Sequence, residues 1–392
     1  MSEVKKGLLI FPILRDLNQA DGILVKNDGI RNGFMQNGVD VDVLEFSTKG
    51  AAINGKNIFS FHPNRYRRIL QHRYSIWKKL PELLRDKNYD LIWIRISIFN
   101  PSQAKFLEQL KKKTPSSKLI IEYGAYPFVN ELTKLKKLIY YLNRGSEKRG
   151  HRIADFVITF SGQEKVDSIV NIPINNGIDL ANISVVQHQP PTQERINFIS
   201  VSSLKKWHAY ERFIEGMRIY LDSANPHAIS FHIVGSGPEY DKLFQLVRKL
   251  NLQNHVIFHQ FKLGEELDRI YDQSHVAIGT LGFHRIGLHN SSSLKNREYF
   301  ARGLPVVLAT PDKDMPAALP FVKYIPGREE PVNVSDLVAF AIKLYLVPGL
   351  NQTIRNYAEE NLSWKSKTKT VLEYLNKKKF QTTDIIEQKI YS

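Results

Sequence analysis

This sequence predicts an α/β fold of two doubly wound units with parallel sheets, and three features carry the prediction. Short apolar runs alternate with stretches of helical periodicity along nearly the whole chain, the pattern of parallel strands joined by crossover helices. The scheme occurs twice, with a break between Asn176 and Glu194, where Gly177, a Gln-His-Gln triplet and Pro190-Pro191 interrupt it. The 392 residues are 42% hydrophobic and 24% charged, ordinary globular material and enough for two separate cores.

In chain order, the strands expected in the first half are Gly7 to Phe11, Val41 to Phe46, Leu91 to Ile96, Leu119 to Glu122 and Phe156 to Phe160. The second half repeats the plan with Ile196 to Ser202, Ile229 to Val234, Val256 to His259, Val276 to Thr280, Pro305 to Leu308 and Val322 to Ile325. The expected domains are therefore 1–183 and 184–362. A last helical pattern, Ser363 to Lys379, has no strand after it.

Composition narrows the function classes. There is no cysteine, so disulfides, zinc–thiolate sites and thiol nucleophiles are excluded together. The apolar stretch Gly7 to Phe11 is too short for a signal-peptide core, and no later run approaches the ~20 residues of a membrane span. A soluble or peripheral protein in the cytoplasm is expected. The net charge is +16, and residues 1 to 160 carry most of it, with 28 Lys and Arg against 15 Asp and Glu. No nucleic-acid recognition module accompanies that charge, so nucleic acid is not an expected partner.

The most informative stretch is Asn290 to Leu308. Serines precede a run of helix formers, Gly303 follows as a stop, and Leu304 to Leu308 reads as a buried strand. Lys295 and Arg297 fall in the first helical turn, where the macrodipole disfavours a cation by roughly 0.3–1 kcal/mol. Something anionic would offset that, the alternative being a plain solvated surface helix. Backbone N–H groups, serine hydroxyls and a lysine at a helix start suit a phosphate, and Glu298 one turn deeper suits a sugar hydroxyl.

Ser292-Ser-Leu-Lys-Asn-Arg-Glu-Tyr299 followed by Ala301-Arg-Gly-Leu-Pro-Val-Val307 resembles the donor-site segment of group 1 (family 4-like) glycosyltransferases of the GT-B type, the retaining enzymes of capsule, exopolysaccharide and lipopolysaccharide assembly. The resemblance implies two Rossmann-like domains facing a cleft, with a C-terminal helix, 363–392, crossing back to the first domain. It implies that Glu298 holds the ribose of a nucleotide sugar, and that Ser292, Ser293, Leu294 and Lys295 meet its diphosphate. Val234-Gly-Ser-Gly-Pro-Glu239 is by itself only a strand-to-helix turn, but Gly235 and Gly237 fall where the family's nucleotide site lies. Asn175-Asn-Gly-Ile-Asp-Leu180 corresponds to the turn that closes the first domain, and Gln260 to Lys262 to the segment that cups the base.

Two departures from the family pattern stand out. Ser203 and His208 occupy the positions of its phosphate-binding arginine and lysine, leaving Lys205, Lys206 and Arg212 as displaced candidates, with His208 a further partner for a phosphate or sugar hydroxyl. Asn290 replaces a carboxylate that touches the donor sugar. Subgroups resembling this chain, with a Trp-His motif like Trp207-His208 and an Arg-x-Gly-Leu motif like Arg285 to Leu288, manage without that carboxylate, so the departure bears on donor identity rather than fold.

On the acceptor side, Asn18 to Gly22 lies where the family has a glycine loop, which places Asp21 and Gly22 at the site. Glu122 and Tyr126, in a segment similar to the family's Glu-x-x-x-Tyr-Pro, would orient the acceptor. No cofactor and no metal is expected. Asp40-Val-Asp42 fits an Asp-x-Asp metal spacing, yet strand alternation explains it, and His255 with His259 lacks a third ligand. No nucleophile triad is needed either, because stabilising a departing nucleoside diphosphate suffices for transfer.

The expected function is transfer of a sugar from a nucleotide sugar to a glycan acceptor, lipid-linked in the family's pathways. The alternatives are a sugar-nucleotide epimerase of the same architecture and a non-catalytic subunit of a transferase pair. Arg65, Arg67, Arg68, His72, Arg73, Lys78 and Lys79, interleaved with Leu70, Tyr74, Ile76 and Trp77, together with Lys111 to Lys113, predict peripheral attraction to an anionic membrane surface at the inner face of the cytoplasmic membrane.

Overall fold

The computed structural model describes residues 4–17, 22–124, 126, 132–160, 163–187, 195–224 and 226–376. The chain divides into two compact units, Met1–Asp179 with Trp364–Ser392, and Leu180–Ser363.

The first unit is built on β1 (Lys6–Leu14), β2 (Asp40–Phe46), β3 (Gly50–Ile53), β4 (Lys56–Ser60), β5 (Leu91–Arg95), β6 (Lys118–Tyr123) and β7 (Phe156–Thr159), in the order β4-β3-β2-β1-β5-β6-β7. β1, β2, β5, β6 and β7 run parallel and are buried on both faces, which is why they read as unbroken apolar runs. One face packs Ile76, Trp77 and Leu80 with Phe106, Leu107 and Leu110, and the other packs Ile30 and Phe34 with Trp364, Val371 and Leu375. Residues 364–376 are helical, and Trp364 enters a slot floored by Gly29, Gly33 and Gly177, where a Cβ on any of the three would come within 2.7 Å of it.

β3 and β4 form an antiparallel hairpin that the apolar pattern does not predict. Its two-residue turn is Asn54-Gly55, both at positive φ (50° and 79°), the geometry that matches strand twist and favours this pair. Asn54 also donates to Asp42, whose carboxylate takes Lys87 at 2.6 Å and the Tyr89 hydroxyl at 2.7 Å. The Asp40-Val-Asp42 spacing thus serves the hairpin and its neighbours. A short pair, β8 (Lys165–Val166) and β9 (Ile169–Val170), follows the main sheet.

The second unit contains β10 (Arg195–Val201), β11 (Ala228–Val234), β12 (Val256–Gln260), β13 (Val276–Ile278), β14 (Val306–Leu308) and β15 (Val322–Tyr324), all parallel, in the order β12-β11-β10-β13-β14-β15. In each sheet the strand order reverses once, between β1 and β5 and between β10 and β13. Outside the carboxyl ends of strands at such a point, neighbouring loops part and leave a crevice for ligands. Among the described residues no single helix is long and apolar enough to cross a membrane.

Candidate functional site

The site of the second unit lies at the carboxyl ends of β10 and β13. The turn Lys206–His208 follows β10, and the loop after β13 is tied to it by backbone bonds from Leu281 to His208 and from Gly282 to Trp207. Arg285 clamps the two together, donating to the Lys206 carbonyl at 2.8 Å while pairing with Glu211 and Glu329. Glu329 answers to Arg285 first and His284 second, which hold its carboxyl down at about 2.

Lys295 belongs to the helix Leu294–Ala301, whose N-cap Ser293 makes no side-chain bond to the first turn. Its ammonium donates to the Tyr210 hydroxyl at 2.8 Å and lies 5.2 Å from the centre of that ring. Tyr210 in turn reaches Ser200 and Ser202, so a hydroxyl network on the end of β10 fixes the lysine. Burial pushes the Lys295 ammonium below its ordinary value, Tyr210 pulls it partly back, and among the described residues no carboxylate pairs with it. His208 stacks on Tyr210 at 5.4 Å and is pushed down to about 2 by burial and by the charges of Lys295 and Lys205. The imidazole is therefore neutral at physiological pH, and its Nδ1 accepts from the Lys205 amide at 3.2 Å. A lysine with no carboxylate beside it among the described residues and a neutral histidine meet at the start of a helix, where an anion would favour the lysine's charged form.

Arg297, the other first-turn cation, differs. It is fully buried, with Nη1 2.5 Å from Asp312 and Nη2 2.9 Å from Asp314, so the anion that offsets it is the protein's own. Sequence spacing did not indicate those partners, which lie beyond the next strand. Tyr210 was missed as well, although it stands only two residues after His208.

The remaining candidates fall into clear groups. Glu298 is half-buried and takes Arg302 at 3.2 Å, one turn on, rather than Lys295. Lys205 and Lys206 are exposed, Lys205 with its ammonium 5.0 Å from the Trp207 ring. Asn290 is exposed, and Ser292, Ser293 and Leu294 are half-buried beside it. Gly235 (φ +123°) and Gly237 (φ +155°) pass the loop after β10 so closely that a Cβ would lie 2.0 Å from the Ser202 carbonyl and 2.5 Å from that of Leu204. The close approach these glycines allow is first of all to the protein's own backbone. Gln260 ends β12 at φ +55° and accepts from the Gly235 amide, and Lys262 pairs with Glu266 at 2.9 Å. His259 pairs with His232 across β11 and β12 rather than with His255.

Two expectations need correction. Arg212 is no free phosphate ligand: it is buried, and its guanidinium donates to the carbonyls of Leu281, Glu330 and Pro326 at 2.6–3.0 Å. It braces the loop after β13. Glu122, in the first unit, is wholly buried, held by Lys26 at 2.7 Å and the Trp93 indole at 2.8 Å. A carboxylate so enclosed supports its neighbours rather than meeting an acceptor directly. Gly22 opens the helix Gly22–Gln36 and is exposed, Tyr126 is half-buried, and Asp21 lies outside the described residues. Among the described residues no three His, Asp or Glu side chains converge as a metal site.

Residues 185–316, which hold nearly all of this site, match the family model described as glycosyl transferases group 1. The second unit thus carries the likeness to group 1 glycosyltransferases. No curated protein sequence matches the chain. Solved structures match nearly end to end at low identity: a lipopolysaccharide outer core galactosyltransferase, WaaB (TM-score 0.55, 10% identity, 94% of this chain and 99% of that one); sucrose-phosphate synthase from Thermosynechococcus elongatus (0.57, 15%, 97% and 100%); and HepE from Anabaena in complex with UDP (0.54, 14%, 95% and 100%). At such identity the likeness speaks for the fold, and that fold is GT-B, with two Rossmann-like units.

Proposed function

We propose that this protein is a group 1 glycosyltransferase that moves a sugar from a nucleotide-sugar donor, bound by the second unit, to a glycan acceptor, with retention of anomeric configuration and without a metal ion. The observation that carries the reading is the Lys295 ammonium, half-buried at a helix start with no carboxylate beside it among the described residues. A leaving diphosphate develops negative charge there as the glycosidic bond breaks, and a fixed cation with helix N–H groups stabilises it more in the transition state than in the ground state. The acceptor hydroxyl then attacks from the face the diphosphate leaves. The complexes of HepE with UDP and with UDP-glucose support a nucleoside diphosphate donor.

A thermal-shift screen against nucleotide sugars tests the reading, since only a ligand of the native state raises its midpoint. A rise with one donor and with its nucleoside diphosphate, but not with the free sugar, is expected. Turnover of donor into an epimer without acceptor would replace transfer by epimerisation. Glu298→Ala should weaken binding of the free nucleoside diphosphate by about tenfold, the loss of one charge-assisted hydrogen bond to the ribose. Calorimetry decides this, and an unchanged affinity would leave Glu298 a partner of Arg302 only.

A lipid-linked acceptor at the inner face of the cytoplasmic membrane completes the proposal. Arg65, Arg67, Lys78 and Lys79 are exposed along with Tyr66, Ile69 and Leu70, whereas Ile76 and Trp77 point into the core. Lys111 and Lys113 are engaged internally, by Asp155 and by the carbonyls of Leu84 and Lys87, which narrows the basic surface to the Arg65–Leu83 segment. The exposed Lys134 and Lys136 lie on a helix with exposed Leu135, Leu138, Tyr141 and Leu142, a second basic and apolar surface. Each basic group near anionic lipid is worth roughly 1 kcal/mol, screened by salt. The protein should sediment with anionic vesicles at low salt and stay in solution with neutral ones; indifference to lipid charge and salt would remove this part.

A further inference from the structure

The switch point of the first unit carries a guanidinium without an adequate partner. Arg95 ends β5, next to β1, where the strand order reverses. Its side chain is only 13% exposed; among the described residues its one side-chain hydrogen bond is to Asn27 Oδ1 at 3.3 Å, and the nearest carboxylate, Glu122, is 3.7 Å away. That carboxylate is already taken, by Lys26 at 2.7 Å and Trp93 at 2.8 Å. Among the described residues the cluster thus encloses two cations, Lys26 and Arg95, and one anion, Glu122. Other well-covered arginines of this chain are not left so: Arg212, Arg285, Arg297, Arg302 and Arg355 each have two or more acceptors within 3.2 Å. A covered guanidinium short of acceptors is costly unless something fills its fork.

Room for such a group exists beside it. Gly124 follows β6, and among the described residues a Cβ there would meet Arg95 Nη2 at 3.1 Å and nothing else within 4 Å. The glycine is not at a positive φ, so the bare position keeps space open at Nη2 rather than serving a turn. The planar fork of an arginine matches two oxygens of a phosphate, and burial strengthens the pair.

We propose that Arg95 anchors a phosphate group carried by the acceptor, so that the acceptor is a phosphorylated or lipid-phosphate-linked saccharide. The proposal rests on the transferase reading for the word acceptor, but the anion site stands on the first unit alone. Lys26 and Glu122 then act as positioning residues: the ion pair fixes the floor of the site and keeps Glu122 from neutralising Arg95.

Inorganic phosphate is the probe, titrated calorimetrically and by thermal shift into the full chain carrying Lys295→Ala, which takes the donor-site cation out of the reading. Phosphate should still bind and raise the midpoint, and adding Arg95→Gln should weaken it by about tenfold or more, as for loss of a bidentate pair. Gly124→Asp guards against a folding artefact because its effect has the opposite sign. A carboxylate placed at Nη2 should raise the midpoint without phosphate and abolish the phosphate response. UDP affinity, measured on the wild type and on Arg95→Gln alone, keeps the two readings apart. Failure of the wild type to bind UDP sinks the donor reading, while an Arg95→Gln loss confined to UDP would assign the guanidinium to the donor and overturn the acceptor site. Phosphate binding that Arg95→Gln leaves unchanged, or a Gly124→Asp chain that responds to phosphate like its parent, would also overturn it.

Discussion

Alanine at Lys295 should lower turnover by about 10²-fold or more, the usual loss when one preorganised group is removed from a developing anion. The expectation follows from what surrounds the ammonium: the Tyr210 hydroxyl at 2.8 Å and no carboxylate among the described residues. In the free protein its burial works against the charged form, so removing it should not cost stability, and the variant should melt no lower than the parent. Loss of activity with an unchanged midpoint is thus the signature, read by donor consumption alongside calorimetric melting. A variant that keeps near-normal turnover would remove Lys295 from the mechanism, and one that melts much lower would make it structural.

Alanine at Asp312 should have the opposite signature. Arg297 and Asp312 are both without exposure, and removing the carboxylate leaves a buried guanidinium with Asp314 as its other acid among the described residues. Breaking such a pair costs about 3–5 kcal/mol, which for a unit of this size corresponds to a midpoint lower by roughly 6–20 °C. Replacing both members with apolar residues of similar volume should restore much of that, because the penalty belongs to the stranded charge rather than to the loss of the pair. Urea unfolding of the two single variants and the double variant forms the cycle. A loss below 1 kcal/mol on Asp312→Ala would mean that Asp314 alone satisfies Arg297.

The two cations of one helical turn show how far the sequence was legible. Their position at a helix start was evident from the serines before them and Gly303 after them, and so was that an anion would offset their charge. Which one the protein itself satisfies was not, because Asp312 and Asp314 come from beyond β14, and no local spacing rule reaches that far. Strands buried on both faces, such as Leu91-Ile-Trp-Ile94, announce themselves as apolar runs. The β3–β4 hairpin does not, since β4 is largely exposed and β3 is Gly-Ala-Ala-Ile; only Asn54-Gly55 marked it. Arg212 and Glu122 lay in segments similar to the family's site, yet neither alignment nor spacing tells a side chain that faces a ligand from one that holds up the loop beneath it.

The slot that receives Trp364 has a consequence for how the molecule is made. One face of the first unit's core needs Trp364, Val371 and Leu375, which the ribosome delivers only after the whole second unit has emerged. At about 5–20 residues per second the nascent first unit waits on the order of 10–40 s with Ile30, Phe34 and Gly29 facing water. Vectorial synthesis therefore reverses the usual order: the unit begun first is finished last, and the interval is one in which a chaperone that covers apolar surface would find its client.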